Sequence, residues 1–422
     1  MSGRRWFVSG AVLLVTFVAG LATWLSRSNV VISSGGVYQA MLLPVGDRAI
    51  RWRADLSRVA TAPRLEGMHG PVIVTAATDT VAHWYCRSAV ERASVTHDAL
   101  TIPCAGDTTT LSLYAESGLP SAVVPTASRM AVVSDLEGDV AYFRRWARTL
   151  GVLDSLDRWQ FGDGHVVVLG DMLDRGRRVY DLLWLLYDVQ HQARAAGGAL
   201  HIVLGNHEQY GFRGIIKDVE AEHLYAVSQI MSYADALGPR TVLGRWLRAQ
   251  PIMLRIGDAL FVHGGISPTL LARGLSIDSV NALHRAWLDG AVRDDETIAL
   301  LTGPAAPTQY RGYFLALDAE PLATREQVEA TRRAYGARHI VVGHTETEEL
   351  TPRFGGAVYG VNTSLTSDRV LTFDAGVPRV TSIGHRRTAF RDARASERRF
   401  SLVSRSDWAA LVGVFGAMSP AR

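Results

Sequence analysis

Five short segments of this chain end in residues that bind metals or phosphate, each at the tip of an apolar run. They read AVVSDLEGD (Asp135, Glu137), HVVVLGDMLDRG (Asp171, Asp174, Arg175), IVLGNHE (Asn206, His207), LFVHGG (His263) and IVVGHT (His344). Carboxylates, an amide oxygen and imidazoles that recur in this way suit a pair of hard-to-borderline divalent cations. Asp171 can bridge two cations through its two oxygens. Asp135 can serve one of them, and Asn206, His263 and His344 the other. Two cations about 3.5–4 Å apart hold a bridging hydroxide and clamp the phosphate oxygens of an in-line displacement. Hydrolysis of a phosphate ester without a covalent enzyme intermediate is the chemistry this set favours.

The remaining residues of the segments have complementary uses. Arg175 can fork onto two phosphate oxygens as a lysine could not. His207 directly follows Asn206, so it points differently and can face the leaving-group oxygen. As a general acid it must be protonated, and Asp174 is the carboxylate placed to keep it so. Any one of these residues has a plainer explanation, such as an aspartate capping a helix. Co-occurrence in order is what argues against packing alone. No Cys-x-x-Cys spacing exists, so a metal would be held by nitrogen and oxygen.

Such residues need elements that bring them together. From Met130 onward, continuous apolar runs (Met130–Val133, Val166–Leu169, Ile202–Leu204, Ile340–Val342) alternate with amphipathic stretches such as Val140–Leu150 and Tyr180–Ala196. Runs of this kind predict strands buried on both faces of a layered α/β fold, with polar residues past the carboxyl ends of strands lining the site. Asp135, Asp171 and Asn206 are 36 and 35 residues apart, about one βαβ unit each. Gly170, Gly205, Gly264, Gly265 and Gly343 sit where the backbone must turn close to the ligands. Residues 214–249 read as helical, either packing or a cap over the cleft. Ala357–Val361 and Arg369–Phe373 read as strands finishing a second sheet.

GDMLDRG, GNHE, VHGG and GHT resemble the calcineurin-like metallophosphoesterases, within them the phosphoprotein phosphatase branch. The texture around ARAAGGALHIVLGNHE and LGRWLRAQPIMLRIGDALFVHGGIS is most similar to the bacterial Shewanella-like phosphatases. The resemblance covers about Met130–Phe373. It implies a four-layer α/β/β/α sandwich, a dinuclear centre of Mn, Fe or Zn, and hydrolysis of phosphomonoesters. By motif, Asp135, Asp171, Asn206, His263 and His344 become metal ligands, His207 with Asp174 the acid pair, and Arg175 a phosphate contact. Arg311, in QYRGYF, matches a second phosphate-binding arginine, although the GPAAPTQ before it departs from the pattern.

One position departs further. The family pattern has Asp-x-His in the first motif, whereas this chain has Asp135-Leu136-Glu137. Glu137 is assigned here as a metal ligand replacing the imidazole, in a harder site that favours Mn. The alternatives are a carboxylate that misses the cation and a site reduced to phosphate binding. Glu346, two residues past His344, is either a helper at the same metal or a solvent-facing residue.

The rest of the chain bounds location and partners. At 422 residues, with 48% hydrophobic and 20% charged residues, the chain has room for two domains. A net charge of +3 is too small for nucleic-acid binding by bulk electrostatics. Arg4 and Arg5 precede an uncharged run of 20 residues, Trp6–Leu25, long enough to cross a bilayer. It reads as an inner-membrane anchor that leaves the body facing the periplasm, with a cleaved signal at Gly20-Leu21-Ala22 as the competitor. Cys86 and Cys104 then read as a disulfide. The expected domains are 1–25 anchor or signal, 26–36 linker, 37–125 a small β-rich domain, 126–383 the metallophosphoesterase domain, and 384–422 a basic tail. The expected partners are a phosphorylated substrate (phosphoprotein or small phosphate ester), the membrane, and a protein for the β-rich domain. Dinucleoside polyphosphate hydrolysis and a non-catalytic phospholigand receptor are the alternative functions. His385–Phe400, with six arginines against two acids, reads as a solvated helix, or a contact for anionic lipid.

Overall fold

In a computed structural model of the protein, the apolar runs become strands whose alternate residues face two cores. In Arg129–Val133, Met130 and Val132 belong to one buried cluster, and Ala131 and Val133 to another. The first cluster joins residues of two sheets, among them Val167, Leu169, Phe261, Val341, Leu371 and Phe373. The second includes helical residues, such as Phe143, Trp146, Leu182 and Leu186 on one side and Leu270, Val280 and Val328 on the other. Two sheets back to back with helices outside give the four-layer α/β/β/α arrangement. The structure describes residues 2–32, 38–46, 48–55, 65, 67–76, 79–96, 98–115, 118–216, 218–317, 321–387, 396–405, 407–408 and 411, excluding the side chains of 2–13, 31–32, 38–40, 48–55, 221 and 396–397.

The chain divides into two compact units, one of Met1–Glu66, Arg87–Ala89 and Arg391–Arg422, the other of Gly67–Cys86 and Val90–Phe390. In the second, one sheet runs Ala199–Val203, His165–Leu169, Arg129–Val133, Arg369–Asp374, Val377–Ser382. The other runs Val358–Gly360, His339–Val342, Ala259–Val262, Met253–Ile256, Val123–Val124. The three strands that lead to Asp135, Asp171 and Asn206 are parallel neighbours, as are the two that lead to His263 and His344. Parallel pairing brings all five residues out at carboxyl ends of strands. Of the two strands expected to finish the second sheet, only Val358–Gly360 does so. Arg369–Asp374 pairs antiparallel with Arg129–Val133 in the first sheet. Apolar patterning cannot distinguish two sheets that share one core.

The β-rich stretch 37–125 is not one domain. Tyr38–Val45 and Arg48–Asp55 lie in the first unit, in a sheet with Asn29–Ile32 and Ser396–Arg399. Leu25, Val30, Met41, Leu43, Phe400 and Leu411 form its core, and the Trp24 indole donates to the Pro44 carbonyl at 2.8 Å. The basic tail is thus a strand at 396–399, where a helix was expected; 388–395 lies outside the described residues. Met68–Thr75, Thr80–Cys86 and the hairpin Ala99–Cys104/Asp107–Ser112 belong to the second unit. The helices within 214–249 pack on the first two of these strands. The rings of Tyr85 and Tyr225 meet edge-to-face at 5.8 Å, and the Thr75 N–H donates to Arg240 O at 3.0 Å. That contact packs the helices of the segment on these strands.

Cys86 and Cys104 are bonded, joining the end of one strand to the end of the hairpin's first. Closing a loop of 18 residues in the unfolded chain stabilises by about 3 kcal/mol. Thermal unfolding in dithiothreitol is expected several degrees below that of the oxidised protein; coincident transitions would contradict a stabilising bridge. At the other end, a helix spans Ser2–Ser26, and the first part of the Trp6–Leu25 run has side chains outside the described residues. Among the described residues no helix is long and apolar enough to cross a membrane.

Candidate active site

Three of the five motifs are held in an unusual backbone. Asp135, Glu137, Asp171, Asp174, Arg175 and His344 all have φ between 47° and 71°. Left-handed geometry at a non-glycine residue costs about 1–3 kcal/mol and persists only where the surroundings fix it. Glycine makes room beside these turns. A Cβ on Gly343 would lie 2.0 Å from Ser134 Oγ and 2.7 Å from Asp135 Oδ2, and one on Gly170, itself at φ +80°, would lie 2.4 Å from His263 Nδ1.

Asp171, His263 and His344 offer ligand atoms within 4.8 Å of one another, all buried. His263 Nδ1 is 2.7 Å from the Leu169 carbonyl, which fixes the proton there and leaves Nε2 facing inward. That Nε2 is 3.1 Å from Asp171 Oδ2 and 3.2 Å from Asn206 Oδ1. Asp135 Oδ2 accepts from the Ser134 hydroxyl and from the His344 N–H at 3.1 Å. Burial raises the Asp135 carboxyl, opposed by the charge of His263 and helped by that of Asp171. At Asp171 burial works the same way, but His263 and His207 outweigh it and hold the carboxyl well below its usual range. Burial and the His263 charge keep His344 neutral, and its Nε2 is buried without a hydrogen-bond partner. His263 is raised to about 9, burial opposing and Asp171 driving the shift. An ionised carboxylate, a neutral imidazole with an orphaned nitrogen, and a second imidazole that takes up a proton among oxygens are what a cation would satisfy.

His207 faces the same carboxylate from the other side. Its Nδ1 is 2.7 Å from Asp174 Oδ2 and its Nε2 is 3.7 Å from Asp171 Oδ2. Burial opposes a charge on this ring, yet Asp171 and Asp174 raise it to about 10. Asp218 is the third member of this cluster, and its backbone carbonyl accepts the Arg175 N–H at 2.9 Å. Arg311 reaches the site as well, donating to the His344 carbonyl at 3.0 Å, with the Asp135 and Asp171 charges nearby.

Glu137 behaves differently. Among the described residues it is in neither cluster of potential metal ligands. Its carboxylate is hydrogen-bonded by Arg175, and burial raises it to about 8 against the opposing charge of Arg175. Arg175 thus engages the carboxyl assigned as a ligand. Glu346 is exposed.

Two contributors had no role in the sequence reading. Glu208, the last letter of GNHE, is fully buried. It accepts four backbone N–H groups, from Asp171 (2.9 Å), Gly205 (2.7 Å), Met172 (2.8 Å) and Leu173 (3.1 Å). It ties the Asp171 turn to the first turn of the Asn206–Phe212 helix. Glutamine at 208 would set an NH₂ against two of these donors. We expect Glu208→Gln to destabilise the protein by about 3 kcal/mol or more, seen in urea unfolding, and to weaken metal binding; an unchanged midpoint would contradict this. The second is Arg387, from the supposed tail, whose Nη2 donates to the Asp135 carbonyl.

A model described as calcineurin-like phosphoesterase matches residues 128–347. The chain belongs to that family. This phosphoesterase is 25% identical over 300 residues to Shewanella-like protein phosphatase 2 of Arabidopsis thaliana, covering 59% of this chain and 71% of the relative. It is 27% identical over 155 residues to the symmetrical bis(5'-nucleosyl)-tetraphosphatase of Methylococcus capsulatus, covering 38% and 49%. Among solved structures it resembles a cold-active protein-tyrosine phosphatase of a psychrophile Shewanella species. The TM-score is 0.67 and the identity 29%, covering 75% of this chain and 99% of that one. It is a metal-dependent phosphoesterase.

Proposed function

We propose that this phosphoesterase hydrolyses phosphomonoesters on proteins. The observation that carries the reading is the His207–Asp174 pair, buried and 2.7 Å apart, facing the Asp171 cluster. A non-catalytic receptor would not need a buried imidazole held protonated beside a metal-binding carboxylate. The protein-phosphatase names of the Arabidopsis and Shewanella relatives support the substrate class. The tetraphosphatase relative favours dinucleoside polyphosphates as the second reading.

Asp135, Asp171, Asn206, His263 and His344 would hold two divalent cations, manganese first, with iron and zinc as alternatives. Bound there, the cations supply a hydroxide nucleophile and Lewis-acid stabilisation of phosphate. Arg175 and Arg311 bind and orient the phosphate oxygens. His207 holds its proton on Nε2 for the leaving-group oxygen, and Asp174 on Nδ1 keeps the ring charged and aligned. The full chain, stripped and reloaded with each metal, should turn over p-nitrophenyl phosphate well above an Asp171→Asn control. Absence of that difference with every metal would end the enzymatic reading. Phosphotyrosine and phosphoserine peptides compared with diadenosine tetraphosphate then decide the substrate, and preference for the dinucleotide would favour the second reading.

The apolar run Trp6–Leu25 and the Cys86–Cys104 bridge support a catalytic unit exported to the periplasm, with the run as anchor or signal. An alkaline phosphatase fusion after Ser28 should be active; an inactive, stable fusion would contradict export.

A further inference from the structure

Glu137 is a buried carboxyl two residues from Asp135, and the fold sets two arginines against it. The Glu137 side chain is only 5% exposed, so its carboxylate depends on those partners. One oxygen is hydrogen-bonded by Arg175, whose own side chain is 50% exposed. The other lies 3.9 Å from Nη2 of Arg387, which is 11% exposed. Arg387 is well held: Nη2 donates to the Asp135 carbonyl, the guanidinium lies 5.7 Å from the centre of the Tyr142 ring, and its buried Nε has no partner.

The two arginines therefore differ in freedom. Arg175 is the exposed one and the one assigned to phosphate, and it is engaged by Glu137. Moving it to phosphate would take the hydrogen-bonding partner from a buried carboxyl, at considerable cost. A second guanidinium, already within ion-pair distance at 3.9 Å and about one ångström beyond hydrogen-bond contact, offsets that cost with a small side-chain shift. We propose that Arg387 is a positioning residue for the phosphoesterase reaction. It takes over Glu137 when Arg175 turns to the phosphate, and it steadies the Asp135 turn through the carbonyl. The proposal rests on the reading that Arg175 binds phosphate.

The test is a double-mutant cycle on the metal-loaded full chain with Arg387→Gln, Glu137→Gln and the double variant. Three quantities are read: the dissociation constant of inorganic phosphate by calorimetry, kcat and KM for p-nitrophenyl phosphate, and the thermal midpoint. Arg387→Gln alone should weaken phosphate and raise KM by about 10-fold, with a smaller change in kcat, a size typical of coupled neighbours. In the Glu137→Gln background the same change should cost about 3-fold or less. Arg387→Lys, which keeps the charge, should recover part of the loss, and it substitutes for the glutamine variant if that one does not fold. Equal losses in both backgrounds would overturn the proposal, since Arg387 would then touch phosphate itself or only pack on Tyr142. An Arg387→Gln protein with unchanged phosphate affinity would overturn it too. Arg175→Gln separates the underlying reading: unchanged phosphate affinity there overturns the assignment of Arg175 to phosphate, and the proposal with it.

Discussion

Replacing His207 with alanine should lower kcat toward a phosphoserine peptide by about 10²- to 10⁴-fold, the usual contribution of a positioned general acid. The loss should be smaller with p-nitrophenyl phosphate, whose leaving group departs without a proton. Equal losses on both substrates would argue that His207 acts in binding. The pH dependence gives a second readout. His207 is raised to about 10, so its acid form is present across the neutral range and disappears as pH climbs through that value. The same shift is a stability term, because the folded-state value lies above the unfolded one near 6.5. That contribution is fully present below the unfolded value and is lost as pH rises through the folded one. Cations at Asp171 would draw on one of the two charges responsible and leave Asp174 as the remaining one. Asp174→Asn should therefore move the basic limb of kcat to lower pH in the metal-loaded enzyme. A basic limb that stays in place would detach Asp174 from the proton.

Asp171→Asn should have the other large effect, on metal content first and rate second. The substitution keeps an oxygen to accept the His207 N–H, which is 3.0 Å from Oδ1, but it removes the charge that His263 and His344 surround. Loss of activity by about 10³-fold or more is expected, as for removal of a charge that organises a reaction centre. Metal analysis after gel filtration should show sub-stoichiometric cation. The wild-type protein should gain thermal stability on metal addition, about 2.7 kcal/mol at 100 times the dissociation constant, and the variant should gain little. A variant that keeps both metals and this stabilisation would remove Asp171 from the centre.

What could be read in the sequence follows from locality. Each candidate ligand sits one to three residues past an apolar strand, and parallel strands deliver such residues to one edge whatever their order. Asp135, Asp171, Asn206, His263 and His344 were legible for that reason. Glu208 was visible in GNHE, but a carboxylate that receives backbone N–H groups carries no mark separating it from one that binds metal. Arg387 had no signal, because it comes from far along the chain and its neighbours are arginines of ordinary tail-like texture. Strand partners were equally hidden. The sequence pattern of Ser396–Arg399 contains nothing that selects Asn29–Ile32, nor does that of Arg369–Asp374 select Arg129–Val133. Glu137 stood out as an exception to a pattern, yet the replacement alone did not reveal that an arginine would claim it.

The pairing of Arg129–Val133 between His165–Leu169 and Arg369–Asp374 has a consequence for biosynthesis. During translation the strand that leads to Asp135 gains one neighbour early and must wait for the other until almost the whole catalytic unit has left the ribosome. Until then it presents an open edge, the kind of surface that chaperones cover and that invites wrong partners. His344 is also made late. The centre is thus completed only when the chain through Asp374 is free to fold, and chains truncated before Asp374 should neither retain metal nor turn over phosphate.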